Sequence, residues 1–185
     1  RQAGDQESCR GGVIRSMTKK AFLEAALKAG GLTKSIYTSL KQLKHAAGTQ
    51  YGAVLRISDT PVRATSKKTF KDQQGASLIR RKLYTCETAY NVVLAAADEE
   101  KLEELLEGFL SNLERGFYDD GGNWVDVTPV ETDWVDEDDC VMKAKMAVQI
   151  KVVCKYGIYK DVAAWTSPEG TEMELTTGKD EDGQQ

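Results

Sequence analysis

Residues 77–117 read SLIRRKLYTCETAYNVVLAAADEEKLEELLEGFLSNLERGF, and the two halves of this stretch follow different periods. In the first half apolar side chains alternate over many residues, which predicts one long strand. In the second half they recur at helical spacing, so the strand should run directly into an amphipathic helix. The two predicted strand faces are Leu78, Tyr84, Cys86, Tyr90, Val92 and Leu94 on one side, and Leu83, Thr85, Glu87, Ala89, Asn91 and Val93 on the other.

The predicted helix covers residues 98–116. Asp98 can cap its first turn, where negative charge is favourable, and Gly116 can end it. Its apolar stripe consists of Leu102, Leu105, Leu106, Phe109, Leu110 and Leu113. The other face carries Glu103, Glu104, Glu107 and Glu114, a composition typical of a solvated helix surface.

Downstream of the helix, the sequence predicts two more strands. DDGGN at 119–123 is a turn, and WVDVTPVETDWV at 124–135 is a strand whose Pro129 indicates an edge position or a bulge. CVMKAKMAVQIKVVCKYG at 140–157 alternates again, with an apolar face that the helix should cover. Its polar face carries a row of lysines: Lys143, Lys145, Lys151 and Lys155.

Upstream, the pattern predicts two helices, a strand and a long loop. Thr18 can cap a first helix that ends at Gly30 and Gly31, and a second helix should run from Ser35 to about Ala47. A strand is expected over 51–58. The loop over 59–76 is long enough to be functional, and it contains Arg63, Lys67, Lys68, Phe70 and Lys71.

These elements predict an α+β fold in the order α–α–β–β–α–β–β. It would be a mainly antiparallel sheet of about four strands packed on helices. A length of 185 residues fits one domain, which we expect over 16–165. Residues 1–15 are expected to be a flexible N-terminal arm, and residues 166–185 a polar acidic C-terminal tail.

The formal net charge of -4 hides a strong asymmetry. Residues 1–82 contain 17 Lys and Arg against 5 Asp and Glu, a net charge of +12, whereas residues 83–185 contain 8 against 24, a net charge of -16. The asymmetry has three readings. The basic half could bind nucleic acid, the two halves could join neighbouring copies, or they could neutralise each other within one molecule.

The residues give little support for catalysis. His45 is the chain's one histidine, and the four cysteines form no CxxC pair, so a zinc site is not expected. A disulfide between Cys86 and Cys154 is conceivable, but buried thiols are favoured. Asp133 and residues 136–139 could attract a divalent cation, although a solvated turn is the simpler interpretation. We expect no enzyme activity, no catalytic residue, no metal site and no cofactor.

Membrane insertion is not expected either. No apolar run approaches the roughly 20 residues of a transmembrane helix. The N-terminal residues also lack the apolar segment of a secretory signal. The sequence therefore predicts a protein that neither spans a membrane nor follows that export route.

The order of elements resembles that of the tail terminator proteins of tailed bacteriophages. The resemblance lies in RRKLYTCETAYNVVLAAADEEKLEELLEGFLSNLERGF, WVDVTPVETDW and VMKAKMAVQIKVVCKYG. These segments fall within Arg80–Gly157, and the pattern extends more loosely over 18–157. It is a resemblance of pattern, and the predicted second helix and both termini are additional to it.

The resemblance implies a structural virion protein without enzyme activity. About six copies would form a ring on the end of a tail tube. The ring would end tube growth and provide the head-joining surface, and DNA would pass through its lumen without sequence-specific contact. The implied partners are further copies of the chain, the tail tube protein and a head-completion protein. The protein would be found in the virion tail, and in the host cytoplasm during assembly.

Two surfaces are candidates for these contacts. Complementary charge could register one copy on the next, so the candidate subunit interface is Lys143, Lys145, Lys151, Lys155, Glu103 and Glu107. The loop with Arg63, Lys67, Lys68, Phe70 and Lys71 could reach an adjoining ring or tube. Alternatively, the lysine row faces water. Two other functions stay open, namely another head–tail connector or tail tube subunit, and a nucleic-acid-binding module that uses the basic N-terminal half.

Overall fold

The computed structural model describes residues 17–46, 48–71, 75–135 and 146–163. Within these ranges, three helices accompany a seven-stranded sheet. The helices are α1 Lys19–Ala29, α2 Leu40–Leu43 and α3 Glu99–Asn112. The strands are β1 Ile36–Tyr37, β2 Tyr51–Arg63, β3 Lys67–Lys71, β4 Ser77–Ala96, β5 Gly116–Tyr118, β6 Trp124–Val135 and β7 Met146–Ala163.

The sheet is antiparallel apart from one short parallel pair. Its strand order is β1-β2-β4-β7-β6-β5, and β3 pairs with the first part of β4. Only β1 and β2 run parallel. The central strands β4 and β7 are the longest and stay paired from Leu78 with Ala163 to Ala96 with Met146. The predicted α+β class is confirmed, but the predicted count of about four strands and the predicted element order are wrong.

The main core lies between helices α1 and α3 and one face of the sheet. From β7 it takes alternate residues, as the sequence predicts, and α3 covers them. The fully buried members from the sheet and α3 include Val92, Leu94, Val148, Ile150, Leu102 and Phe109. The two helices approach each other so closely that a Cβ on Gly30 would lie 2.5 Å from the backbone nitrogen of Phe109.

A second, smaller core lies on the opposite face of the sheet and explains why the predicted second helix is wrong. Ile36 and Tyr37 form β1 beside Gly52 and Ala53 instead of a helical turn. Only α2 is helical, and its Leu40 is 63% exposed. The cluster is formed by Leu43, Ala46, Tyr51, Ala53, Val93, Ala95 and Ala147. The secondary structure of residues 35–46 therefore depends on contacts with a face of the sheet, which the local spacing of apolar residues does not reveal. Ala47 is outside the described residues.

The predicted loop over 59–76 is also wrong. β2 continues through Pro61 to Arg63, and β3 follows after a three-residue break; both pair with β4. Pro61 is tolerated because β2 has no other neighbour at this point, so no ladder hydrogen bond on that side is lost. Side chains here are exposed on both faces, and without a buried face the strand shows no alternation of apolar residues.

The long strand predicted over 77–97 is confirmed as β4, which ends at Ala96, but one of its predicted faces is wrong. The register with β7 shifts between Lys82 and Tyr84, which leaves Leu83 as an extra residue. One extra residue moves every side chain beyond it to the other face. Leu78 therefore lies on the opposite face of the sheet from Tyr84.

Local capping signals are confirmed at the helix starts. The side chain of Thr18 accepts a hydrogen bond from the nitrogen of Ala21 at 3.2 Å, and Asp98 Oδ1 accepts one from the nitrogen of Lys101 at 2.9 Å. Helix α3 ends earlier than predicted, at Asn112. Gly116 instead begins β5, where a Cβ would collide with the carbonyl oxygen of Val125.

The turn and edge strand after β5 are confirmed. Asp119 Oδ1 accepts hydrogen bonds from the nitrogens of Gly121 and Asn123, which closes the turn. β6 has a bulge between Pro129 and Glu131 and has β5 beside only its first residues. The predicted termini 1–15 and 166–185 lie outside the described residues, and the domain limits stay predictions.

Candidate functional site

Parts of four strands lie beyond both cores and form an extension that we call the β-arm: residues 61–71 (the end of β2, and β3), residues 77–85 of β4 and residues 158–163 of β7. None of these residues belongs to either core. Val62 and Ile158 of the β-arm are 58% and 44% exposed, whereas Phe70, Leu78, Ile79 and Val162 are half-buried. At about 3.3 Å per residue, the β4 part alone extends about 30 Å. The β-arm is therefore a long ribbon whose residues belong to neither described core.

The β-arm is strongly basic. It contains eight Lys and Arg against one Asp, a net charge of +7. The cations are Arg63, Lys67, Lys68, Lys71, Arg80, Arg81, Lys82 and Lys160, and the acid is Asp161. The predicted partner-contacting loop contains Arg63, Lys67, Lys68, Phe70 and Lys71. In the structure these residues lie on β2 and β3, which both pair with β4. Their contact with a partner stays a prediction.

One cation of the β-arm is neutralised within the described residues. Arg80 makes a two-pronged ion pair with Asp161, with distances of 2.8 Å from Nε to Oδ1 and 2.7 Å from Nη2 to Oδ2. Its guanidinium also lies 5.2 Å and 6.0 Å from the ring centroids of Phe70 and Tyr159. The hydrogen bonds from Arg80 hold the pKa of Asp161 below its ordinary value. The other seven cations make no ion pair with another described residue.

Replacing Asp161 with asparagine should lower the melting temperature slightly at neutral pH. Because the folded-state pKa of Asp161 is depressed, the pair's contribution is present above the ordinary pKa of about 3.9. It is lost as pH falls through the folded-state pKa. The difference from the unmodified protein should therefore shrink on acidification, as measured by thermal melts across that range. A difference that stays constant with pH would contradict this origin, and the exposed Asp133→Asn is the control.

The predicted lysine row lies on the sheet face opposite α1 and α3. Lys155 Nζ is 3.0 Å from Glu87 Oε1, and Lys151 Nζ is 3.9 Å from Glu131 Oε2. Both pairs cross between neighbouring strands. Lys143 and Lys145 lie outside the described residues. The described part of the row thus has acidic partners in its own chain, and its contact with a neighbouring copy stays a prediction.

A double-mutant cycle on Lys155→Met and Glu87→Gln should give a coupling free energy of about 0.2–1 kcal/mol. The reason is that both side chains are about half exposed, so solvent screens the pair. Urea unfolding of the four proteins measures the coupling. The longer Lys151–Glu131 pair is the matched comparison and should couple less. A coupling above about 2 kcal/mol would mean that the lysine row holds the sheet together.

Helix α3 presents the predicted acidic residues on its outer surface. Glu103 and Glu107 are exposed, and neither makes an ion pair with another described residue. Glu104 is paired with Lys101. Since α3 packs on the face opposite the lysine row, the two halves of the predicted subunit interface lie on opposite sides of the sheet.

A cleft of about 510 Å³ lies where the start of α1 meets β2, β4 and the 119–123 turn. Thr88 is buried there, and its hydroxyl donates a hydrogen bond to Asp59 Oδ1 at 2.7 Å. Asp59 also forms an ion pair with Arg56. The hydrogen bond from Arg56 is the main cause that lowers the pKa of the Asp59 carboxyl, and the hydrogen bond from Thr88 is the second. The cleft lining mixes cations and anions: Lys19, Lys20, Arg56, Asp119 and Asp120.

The described residues offer no cluster of metal-ligating side chains. Within these ranges, no group of three or more His, Cys, Asp and Glu side chains could hold a metal ion. Asp133 is exposed on β6, and 136–139 lie outside the described residues. Cys86 and Cys154 are free thiols. Burial raises the pKa of the Cys154 thiol to about 11, so it stays protonated at neutral pH.

No described helix is both long and apolar enough to cross a membrane.

Comparison with known proteins gives a likeness in structure and no match in sequence. No protein-family model and no curated protein matches the chain. Among solved structures, the chain is similar to a sheath/tube terminator of PVC, an extracellular contractile injection system, seen by cryo-EM in the extended state. The sequence identity is 11% and the TM-score is 0.42, with 88% of this chain and 67% of that chain covered.

Proposed function

We propose that this protein is a structural assembly protein of the tail-terminator kind. In this proposal, copies join head to tail into a ring on the end of a tail tube. The ring ends tube growth and provides the surface that joins the head or its equivalent. The role requires binding surfaces rather than catalysis, and no cofactor.

The observation that carries the proposal is the unpacked, basic β-arm. A narrow antiparallel ribbon gains stability from a packed apolar face, and neither core of the described residues includes the β-arm. Exposed Val62 and Ile158 would be covered in an assembly. A protruding basic element on one part of a protomer and an acidic helix on another part favour a heterologous contact, which closes into a ring when the rotation divides evenly.

The ring would contain about six copies. Its partners would be the tail tube protein and a head-completion protein, and DNA or another cargo would pass through the lumen without sequence-specific contact. The protein would belong to the tail of the particle, and to the host cytoplasm during assembly. Another head–tail connector or tail tube subunit would use the same kind of contacts.

Tube capping tests this role directly. The purified protein is mixed with polymerising tail tube protein, and tube lengths are measured in negative-stain images. We expect shorter tubes with additional density at one end. Tubes of unchanged length with bare ends would overturn the terminator role. Decoration along the whole tube wall would favour a sheath or tube subunit instead.

A second candidate function, nucleic-acid binding, is favoured by the seven cations of the β-arm that make no ion pair with a described residue. Phosphate contacts would release counterions, so affinity for duplex DNA would fall steeply as salt rises. Fluorescence anisotropy with a labelled duplex at several salt concentrations measures this slope. Tight binding with a steep slope, together with a protein that never self-associates, would favour this function over the terminator role.

A further inference from the structure

One face of the β-arm carries a row of like charges. Lys67 of β3 lies directly opposite Arg81 of β4, which lies directly opposite Lys160 of β7. Residues that face each other across neighbouring strands have Cβ atoms about 4.5–5.5 Å apart, and like charges in these positions are destabilising. All three side chains are exposed, and none pairs with a described acidic residue. We call Lys67, Arg81 and Lys160 the cation row.

The opposite face of the β-arm is different. On that face Arg80 of β4 lies directly opposite Lys68 of β3 on one side and Asp161 of β7 on the other, and Asp161 forms an ion pair with Arg80. The rings of Phe70 and Tyr159 lie beside the same guanidinium. This face is thus partly neutralised and packed on itself, whereas the cation row has no acidic partner among the described residues.

A complementary surface exists on helix α3. Glu99, Glu103 and Glu107 are spaced by four residues and form one exposed stripe along the helix. Leu110, which is 40% exposed, continues the stripe. No ion pair joins these three glutamates to a described residue. We call Glu99, Glu103 and Glu107 the glutamate stripe.

The dimensions of the two surfaces also agree. Two inter-strand spacings give the cation row a length of about 10 Å. At 1.5 Å per residue, the glutamate stripe extends about 12 Å. Exposed Ile158 lies two residues from Lys160 on β7 and therefore on the same face of the strand. In the same way, the exposed side chain of Leu110 lies next to the glutamate stripe. Charge, length and a flanking apolar side chain therefore match.

From these features, and on the basis of the proposed function, we infer that the cation row of one copy docks on the glutamate stripe of the next copy. The described residues contain no ion pair between the β-arm and α3 of the same chain. The contact is heterologous, because the donor and acceptor surfaces differ. In this inference the cation row, rather than the lysine row on the sheet face opposite α1 and α3, is the basic half of the subunit contact.

Charge reversal tests the inference on both sides. The arm variant is Lys67→Glu with Lys160→Glu, and the helix variant is Glu103→Lys with Glu107→Lys. Because like charges then face each other, each variant alone should self-associate at least about tenfold more weakly than the unmodified chain, as measured by sedimentation velocity at low salt. An equimolar mixture of the two variants should regain association, since each arm then meets a helix of opposite charge.

A matched control uses the other face of the same β-arm. Lys68→Glu with Lys82→Glu makes the same change in charge, and association should stay within about threefold of the unmodified chain because neither residue lies in the cation row. The arm variant should also melt no lower than the unmodified chain, since it relieves repulsion around Arg81. This result separates loss of docking from loss of folding.

The outcomes distinguish the two proposals. If the unmodified chain forms rings and the helix variant forms them equally well, the docking inference is overturned and the terminator role stands. The docking inference is also overturned if the equimolar mixture of the arm and helix variants does not regain association. Two results together would assign the cation row to nucleic acid instead. They are that the unmodified chain binds duplex DNA and the arm variant does not, and that the helix variant self-associates as the unmodified chain does. A chain that stays monomeric even beside tube ends overturns both proposals.

Discussion

Replacing Phe109 with alanine should lower the free energy of unfolding by about 3–5 kcal/mol. Phe109 is 0% exposed and belongs to the core between α3 and the sheet. The truncation removes a large apolar side chain from a packed interior and leaves a cavity that the neighbouring strands can fill only in part. Urea unfolding followed by circular dichroism, at high salt so that the chain stays dissociated, measures the loss.

The adjacent Leu110→Ala is the matched control for this prediction. Leu110 lies in the same helix but is 40% exposed and outside the core, so its truncation should cost less than about 1 kcal/mol. Equal losses at the two positions would mean that α3 does not present Phe109 to the sheet. The packing of the helix described above would then be incorrect.

Replacing Gly108 with alanine should lower the free energy of unfolding by about 1–3 kcal/mol, although alanine is the better helix former by about 1 kcal/mol. A Cβ at this position would lie 3.1 Å from the Cα of Gly30 and would overlap the carbonyl oxygen of Gly30. Backbone atoms cannot rotate aside as a flexible side chain can. The two helices must therefore separate, which loosens the core beneath them.

Two further variants identify the cause of this loss. Ser111→Ala, on the exposed surface of the same helix, should leave stability unchanged or slightly raised. Gly30→Ala should destabilise for the same reason as Gly108→Ala, and the double variant should cost less than the sum because the helices separate only once. Strict additivity in urea unfolding would argue against a shared close approach of α1 and α3.

The elements that the sequence predicts well are those whose local signals and tertiary contacts agree. Helix α1 begins after Thr18 and α3 after Asp98, each with a side-chain cap. Their apolar stripes match the faces that they bury, except that Leu110 of the predicted α3 stripe is 40% exposed and lies outside the core. The alternating pattern of β7 likewise corresponds to a strand with one face under α3, because burial on a single face is what produces alternation.

The elements that the sequence predicts poorly depend on distant partners. Residues 35–47 show helical spacing, yet β1 pairs with β2 and only α2 is helical. β3 is exposed on nearly every residue and exists because β4 lies beside it. The extra Leu83 in β4 has no local signature, although it reverses which side chains share a face beyond that point.

The candidate site likewise has a part that the sequence predicts and a part that depends on distant strand pairing. The sequence identifies Glu103 and Glu107 as exposed helix residues and assigns a contact role to the basic segment after Asp59. It gives no sign that Lys67, Arg81 and Lys160 form one row, because strand pairing over long distances in sequence aligns them. It also gives no sign that Lys151 and Lys155 have partners within the sheet.

The central claim is that this chain assembles into a ring through complementary charge. Its most direct test is the mass by light scattering after size exclusion, at low and high salt, with negative-stain images of the same fractions. We predict ring-shaped particles of about six copies at low salt that dissociate as salt screens the contacts. A monomeric mass at every salt and protein concentration, with no rings even beside purified tail tubes, would contradict the claim.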